Sequence, residues 1–330
     1  LISVIIATHN GLRYLDSCLR SVLGEAKQGC EIIIVDDGST DGSPDFVNEH
    51  YPQVTLVRNR ENQGFAAACN RGAKTAGGRV FVFLNQDTRV APGWLEALAR
   101  GLGEGTVGMT TSKILLMSRP DQINLCGQDV HYTGLVFGRG FLNPFNSMGL
   151  PEEVGAVAGA SFAVRREVWD ELGGFDEAFF MYYEETDLSW RAQLAGYKCL
   201  YVPDSVVYHD YRPSQVSPSC LYYSFRNRYV MLLKNWRWPT LLLLVAVLFL
   251  AELIEWGLAL AYGWRGVQAK IRANLWVITH LREISRLHTL AQAVRKVPDA
   301  AILEERTYRL EPRTVTGGPL GRAALAVCTV

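Results

Sequence analysis

Five short apolar runs separated by helical patterns constrain this chain more than any other feature. "SVIIA" (3–7), "EIIIV" (31–35), "VTLVR" (54–58), "RVFVFL" (79–84) and "VGMTTS" (107–112) are too short for helices. Their continuous apolar character suits strands covered on both faces. Between them, Leu12, Leu15, Leu19, Val22 and Leu23 follow helical spacing, and the small residues of 64–76 suit a closely packed helix. A third helix is expected over about 93–102. In "DDGSTDGSP", Ser43 is expected as the N-cap of a helix that begins on Pro44. Strands alternating with helices imply an α/β chain with a parallel sheet flanked by helices on both faces. Ligands in such sheets bind beyond the C-terminal strand ends. Polar clusters fall there: "THN" after the first run, "DDGS" after the second, "NQD" after the fourth.

The 330 residues suffice for a sizeable core, with 48% hydrophobic and 20% charged residues. Lys plus Arg and Asp plus Glu both number 33, so no basic field points to nucleic acid. Seven cysteines, without a C-x-x-C pair, argue against a disulfide framework or zinc ribbon and for a reducing compartment. The sequence opens on "LISVIIATHN" without an initiator Met, which leaves room for residues before Leu1. From about 116 to 158, Gly127, Gly134, Gly138 and Gly140 punctuate short strands or hairpins, and "KCLYVP" (198–203) and "SVVYH" (205–209) read as closing strands. These changes divide the chain at 1–115, 116–213 and 214–330.

The last part differs in character. "TLLLLVAVLFLAELIEWGLALAY" (240–262) is long enough to span a bilayer but carries Glu252 and Glu255. An ionised Glu near mid-bilayer costs on the order of a few kcal/mol. An interfacial helix or a broken helical hairpin is therefore favoured over one span, with a buried helix inside an oligomer as the alternative. Lys234, Arg237, Arg265, Lys270 and Arg272 flank the segment, and Trp236, Trp238, Trp256 and Trp264 suit the headgroup zone. From about 310 the sequence carries no clear pattern.

Four stretches carry chemistry. "VDDGSTDGS" places Asp36 and Asp37 at a strand end, where they can accept from a ribose hydroxyl or a base N–H, or else cap a turn. "FLNQDT" delivers Asp87 to the same edge, where it can hold a hard divalent cation or form an Asx-turn. In "FFMYYEETDLSWR", Glu184, Glu185 and Asp187 form a solvated helix start, a metal site or a catalytic base. A helix beginning near Glu184 pairs Asp187 with Arg191 and buries Leu188, Ala192 and Ala195. Its positive end tolerates the two glutamates. His209 ends a strand in "VVYHDY" and gains meaning if it converges with Asp87. No G-x-G-x-x-G follows the first strand, and no P-loop pattern occurs.

Taken in order, "SVIIATHN", "EIIIVDDGSTDGS", "RNRENQGFAAACNRGAK", "VFLNQDTRVAPGWL", the stretch 159–198 and "VVYHDY" resemble glycosyltransferase family 2, with a GT-A fold, over about residues 1–213. The wording "NQGFAAACNRG" and "LNQDT" is similar to the rhamnosyltransferase-like branch, which often carries an aromatic, basic C-terminal segment such as "YYSFRNRYVMLLKNW" and a membrane-associated helix. The resemblance implies that Thr8, Asn10, Asp36 and Asp37 line a nucleotide pocket and that Asn62, Gly64 and Asn70 shape its donor side. It places Asn85, Gln86 and Asp87 at the family's D-x-D motif, with Asp87 the principal ligand of Mg2+ or Mn2+ and His209 a further ligand or diphosphate contact. Glu184 and Glu185 stand at the family's acidic pair, whose second member acts as base, and Arg191 matches a recurring Arg.

Two positions depart from the pattern. Asn85 replaces an acid, so more of the cation's binding falls to the donor diphosphate. Glu185 stands where Asp is commoner, and its extra methylene moves the carboxylate by about 1.5 Å, leaving both glutamates open as base. The implied activity is inverting transfer from a nucleotide-sugar (dTDP-rhamnose first, UDP- or GDP-sugars as alternatives) to a lipid-linked saccharide, by a peripheral or monotopic protein at the cytoplasmic face of the cell membrane, with an oligomer possible. A silent scaffold in a polysaccharide-assembly complex is the rival reading. A nucleotidyltransferase lacks support, because "THNGLRYLDSC" is not a Gly-rich basic loop. A processive synthase would need several clear spans.

Overall fold

The computed structural model describes residues 1–26, 29–103, 105–211 and 217–305. The first part is β1 (Ile2–Thr8), α1 (Leu12–Glu25), β2 (Cys30–Asp37), α2 (Ser43–His50), β3 (Thr55–Asn59), α3 (Phe65–Thr75), β4 (Val80–Leu84), β5 (Thr88–Val90), α4 (Trp94–Leu102) and β6 (Val107–Leu116). Then come β7 (Arg119–Leu125), β8 (Gln128–Val130), β9 (Val136–Gly138), β10 (Glu152–Glu153), β11 (Ser161–Arg165), α5 (Arg166–Leu172), α6 (Glu184–Leu194) and β12 (Lys198–His209). Five helices follow: α7 (Pro218–Asn235), α8 (Trp238–Leu243), α9 (Val245–Ala261), α10 (Gly263–Thr279) and α11 (Leu281–Ala293), with α12 (Asp299–Glu305) last.

The central sheet runs β10-β12-β6-β11-β4-β1-β2-β3. Its β4-β1-β2-β3 part is parallel, as the apolar runs require. Beyond β4 the sheet is mixed. β11 lies antiparallel between β4 and β6. The two expected closing strands are one strand, β12, with a register shift between Val202 and Val206 that absorbs Pro203. The 115/116 division falls within β6, so residues on both sides share one sheet. The 213/214 division, the stretch beyond 310 and Cys328 lie outside the described residues. Ser43 is the first residue of α2 rather than its cap; Gly42, at φ 85°, precedes it, and the Ser43 amide donates to Asp41 at 3.0 Å.

Packing fixes the strand ends that matter. Phe83 of β4 stacks on Trp169 (4.8 Å) and Phe162 (5.0 Å) and meets Phe175 at 5.5 Å. Such aromatic pairs add roughly 0.5–1.5 kcal/mol each beyond burial. They hold rigid the strand that delivers Asn85, Gln86 and Asp87.

α6 is buried on every side, beyond the expected stripe of Leu188, Ala192 and Ala195. The reason is the C-terminal region: Trp236, just past α7, packs edge-on against Trp190 at 4.9 Å. No helix among the described residues is long and apolar enough to cross a membrane. The 240–262 stretch is broken at Leu244 and again before Gly263 (φ 65°). Along α9, Ala251, Glu255 and Ala259 face inward, while Phe249, Leu253 and Leu260 are exposed. Glu255 accepts from Arg228 at 2.7 Å and from Lys270 at 2.5 Å, and Glu252 accepts from Lys270 at 2.9 Å and from Tyr229. The two glutamates are thus neutralised on the inner side. Trp236, expected in a headgroup zone, and the flanking Lys234 and Lys270 are buried instead, because their partners lie in the protein.

Candidate active site

The C-terminal edge of the parallel strands gathers most donor-side candidates. Thr8 pairs with Asp36 in the β1–β2 register. Gln86 reaches across to this edge, accepting from Thr8 Oγ1 at 2.5 Å and from the His9 amide at 3.3 Å. Asn10, at φ 49°, accepts from the Thr40 amide at 2.9 Å, and its own amide donates to Ser39 Oγ at 2.9 Å. These bonds lock the loops after β1 and β2 together. Asp37 is spent on structure: Oδ1 accepts from Asn59 at 2.7 Å and the Gln63 amide at 3.0 Å, and Oδ2 from the Gly64 amide at 2.9 Å. Asp36 differs. Its Oδ2 accepts a long bond of 3.4 Å from the Ser39 amide, while its Oδ1 is buried without a hydrogen-bond partner. A buried, unsatisfied carboxylate oxygen costs about 1–3 kcal/mol or more, and a ligand hydroxyl or N–H would offset that.

Asn62 Oδ1 accepts from the Gly64 amide at 3.0 Å, completing the turn that Asp37 holds. Gly64 sits at φ 92°, and a Cβ there would fall 2.5 Å from the Phe180 ring and 2.6 Å from its carbonyl oxygen. Only glycine permits this approach. Asn70 is an anchor: it accepts from the Phe175 amide at 2.9 Å and donates to the Phe175 carbonyl and to Glu177, both at 2.9 Å.

Asp87 and His209 do converge, with Oδ1 and Nε2 3.5 Å apart. The short β5, which the sequence reading missed, causes it. β5 pairs antiparallel with the end of β12, setting His209 opposite Thr88, and the Asp210 amide donates to the Asp87 carbonyl at 3.0 Å. His209 Nδ1 donates to Asn124 Oδ1 at 2.9 Å, which turns Nε2 toward Asp87. The backbone carbonyl of Asn85 accepts from Thr88 Oγ1 at 2.7 Å, closing the turn. Among the described residues no three His, Cys, Asp or Glu side chains group as a metal cage. One carboxylate and one imidazole nitrogen nevertheless fit a divalent cation that takes its other ligands from phosphates and water.

Glu184 and Glu185 begin α6, both buried. Burial, and then the neighbouring Glu185, push the Glu184 carboxyl well above the ordinary 4.5. Its Oε2 has no partner. Burial also raises Glu185, partly countered by hydrogen bonds from the backbone and from Gln128. Gln128 donates to Glu185 Oε1 at 2.9 Å while accepting from Thr186 Oγ1 at 2.8 Å. Asp187 plays another part. It accepts from Arg191 Nε at 2.8 Å, Lys234 Nζ at 2.9 Å and Asn235 at 2.9 Å. Arg191 goes on to donate to the carbonyls of Leu172 (2.6 Å) and Gly174 (2.9 Å). The donor side meets the run before the acids: the Phe180 carbonyl accepts from the Ala66 amide of α3 at 3.3 Å.

Before the acids the backbone is strained. Phe180, Tyr182 and Tyr183 have φ of 63°, 66° and 72°, a region costing about 1–3 kcal/mol per non-glycine residue. Such outliers persist where the surroundings over-determine them. Here the surroundings are Arg226 and Asn227 of α7, which bind the carbonyls of this run. Sequence reasoning missed these two residues, together with Gln128, Lys234 and Asn235. A signal existed: Asn227 is followed seven and eight positions on by Lys234 and Asn235, a spacing that puts the three on one face of the helix.

The chain is similar to several known proteins. The chain is 28% identical over 232 residues to an N-acetylglucosaminyl-diphospho-decaprenol L-rhamnosyltransferase of Mycobacterium tuberculosis, covering 62% of this chain and 75% of the relative. It is 30% identical over 217 residues to a pre-mycofactocin glycosyltransferase of the same species, of which it spans 43%. Two solved structures share the fold. GalNAc-T7, solved with UDP, GalNAc and Mn2+, has a TM-score of 0.58 at 24% identity, over 69% of this chain and 47% of that one. The mannosyltransferase PcManGT of Pyrobaculum calidifontis, solved with GDP-Man and Mn2+, has a TM-score of 0.55 at 19% identity, over 99% of this chain and 84% of that one. The family model of glycosyl transferase family 2 matches residues 3–173, more than half the chain. With a GT-A sheet and its polar edge in place, this chain belongs to glycosyl transferase family 2 and is an inverting glycosyltransferase.

Proposed function

We propose that the protein transfers a sugar, rhamnose in the first instance, from a nucleoside-diphosphate donor to a hydroxyl of a lipid-linked saccharide. dTDP-rhamnose is the favoured donor, with UDP- and GDP-sugars as alternatives. The pair Glu184–Glu185 carries this reading: two carboxyls begin one buried helix, and Glu184 Oε2 is buried without a hydrogen-bond partner. Glu185, oriented by Gln128, takes the proton of the acceptor hydroxyl as its oxygen attacks the anomeric carbon. The bond from that carbon to the diphosphate breaks on the opposite face, inverting the centre. The unpaired oxygen of Asp36 accepts from the nucleoside, and the turn held by Asp37, Asn62 and Gly64 forms the pocket wall. Asp87 and His209 would hold a divalent cation, which when bound supplies positive charge beside the departing diphosphate.

Donor binding tests the metal assignment. At a donor concentration 100 times Kd, the folded state gains about 2.7 kcal/mol. A thermal-shift series with dTDP-, UDP- and GDP-sugars should show a shift that depends on Mg2+ or Mn2+ and is lost in Asp87→Asn. A donor shift insensitive to EDTA would remove the cation from this account.

The acceptor's lipid supports docking on a membrane surface. Leu242, Leu243, Val245, Phe249 and Trp264 are all more than half exposed. Arg237, Arg265, Arg272, Arg282 and Arg286 are exposed in the same helical region. Each such charge adds about 1 kcal/mol near an anionic surface. Co-sedimentation with phosphatidylglycerol vesicles should fall with salt and be lost in Leu242→Glu/Leu243→Glu. Equal binding of the native and variant proteins would contradict docking through this face.

A further inference from the structure

The carbonyls from Ala178 to Tyr182, immediately before the acid pair, are each bound from outside the run. Arg226 donates to Ala178 and, at 2.9 Å, to Phe179. Asn227 Nδ2 lies within hydrogen-bond distance of the carbonyls of Phe179 (2.9 Å), Met181 (2.8 Å) and Tyr182 (2.7 Å). The remaining carbonyl, of Phe180, accepts from the Ala66 amide at 3.3 Å. Arg226 Nε donates to Asn227 Oδ1 at 2.8 Å, which locks the two side chains to each other. The Phe180 ring stacks on Tyr223 of α7 at 5.0 Å and 12°, and the Arg226 guanidinium lies 4.9 Å from the centre of the Tyr223 ring. Asn227 is fully buried. Within this clamped run Phe180 and Tyr182 adopt left-handed backbone, as does Tyr183, the cap residue of α6.

We propose that Arg226 and Asn227 are positioning residues for glycosyl transfer. They hold residues 178–182 on the left-handed course from which α6 starts, and so set the direction in which Glu184 and Glu185 present their carboxylates. Neither needs to touch substrate. This rests on the reading of the acid pair as general base, and it makes α7 part of the catalytic machinery as well as a support for the surface helices. Without the clamp, the run relaxes toward ordinary backbone, α6 loses its fixed start, and water reaches both carboxyls. A displacement of about 1 Å at a reacting group costs on the order of 10²-fold in rate.

The test uses the full chain carrying Asn227→Ala, with Arg226→Lys as the milder variant. Donor affinity is read by thermal shift, turnover as separate kcat and KM, and protonation from the pH profile of kcat/KM. The expected result is a fall in kcat of about 10²-fold with donor affinity unchanged, and an acid limb moved down toward the ordinary Glu value as the carboxyls regain water. Arg226→Lys should fall between the native protein and Asn227→Ala. Native kcat and an unmoved acid limb in folded Asn227→Ala would overturn the proposal. So would a parallel loss of kcat and donor affinity, which marks a general scaffold role. If Asn227→Ala does not fold, the same outcomes are read from Arg226→Lys. Native turnover in both Glu184→Gln and Glu185→Gln would defeat the underlying base reading, whatever the clamp variants show.

Discussion

Glu185→Gln should lose roughly 10²–10⁴-fold in kcat, the usual contribution of a positioned general base, while donor affinity stays native. The amide keeps the shape of the side chain and its contact with Gln128 but cannot accept a proton. Glu184→Gln should cost less. After burial, the charge of the neighbouring Glu185 is the next cause that raises the Glu184 carboxyl. Glu184→Gln leaves Glu185 in place with its contact to Gln128. Turnover by Glu185→Gln within a few-fold of native would move the base to Glu184 or reject the pair altogether.

Asp187→Ala should destabilise the fold by about 3–5 kcal/mol, the cost of leaving buried charge without its partner. Asp187 is fully buried and faces two buried cations, Arg191 and Lys234. Lys234 keeps Asp176 at 2.7 Å, so the residual charge is only partly compensated. Urea unfolding of the native and variant proteins measures the loss. The pH dependence has a definite sign. Burial pushes the Asp187 carboxyl up, but Lys234 and Arg191 more than offset it, leaving it below the ordinary 3.8. Its stabilisation is present above the unfolded value and lost as pH falls through the lower folded value. Asp187→Ala should therefore lack that portion of the native protein's acid sensitivity.

The parallel half of the fold was legible because strands covered on both faces leave continuous apolar runs, and β1, β2 and β4 end where polar clusters begin. β5 was not: three residues with an exposed centre resemble any turn, yet they bring His209 to Asp87. Asp36 and Asp37 looked alike in sequence, and only the loop at 59–64 distinguishes them, by taking both oxygens of one and leaving an oxygen of the other unpaired. The Asp187–Arg191 spacing foretold an ion pair that forms, whereas Lys234 and Asn235 come from nearly fifty residues away. Left-handed aromatic residues have no signature in composition or period, so the strain before Glu184 could be seen only in the fold. The 240–262 segment, expected as a broken or interfacial helix rather than one span, is broken at Leu244. Its glutamates face buried cations, and its apolar side faces outward, the reverse of a helix packed in a core.

The pH profile of kcat/KM, measured with the donor that gives the largest thermal shift, bears most directly on the central claim that a buried glutamate takes the acceptor's proton. A base must be ionised to act, and burial raises both glutamates. The account predicts an acid limb clearly above 4.5, the ordinary Glu value, with activity falling as pH drops through it. An acid limb at or below the ordinary Glu value, or a profile without one, would contradict it.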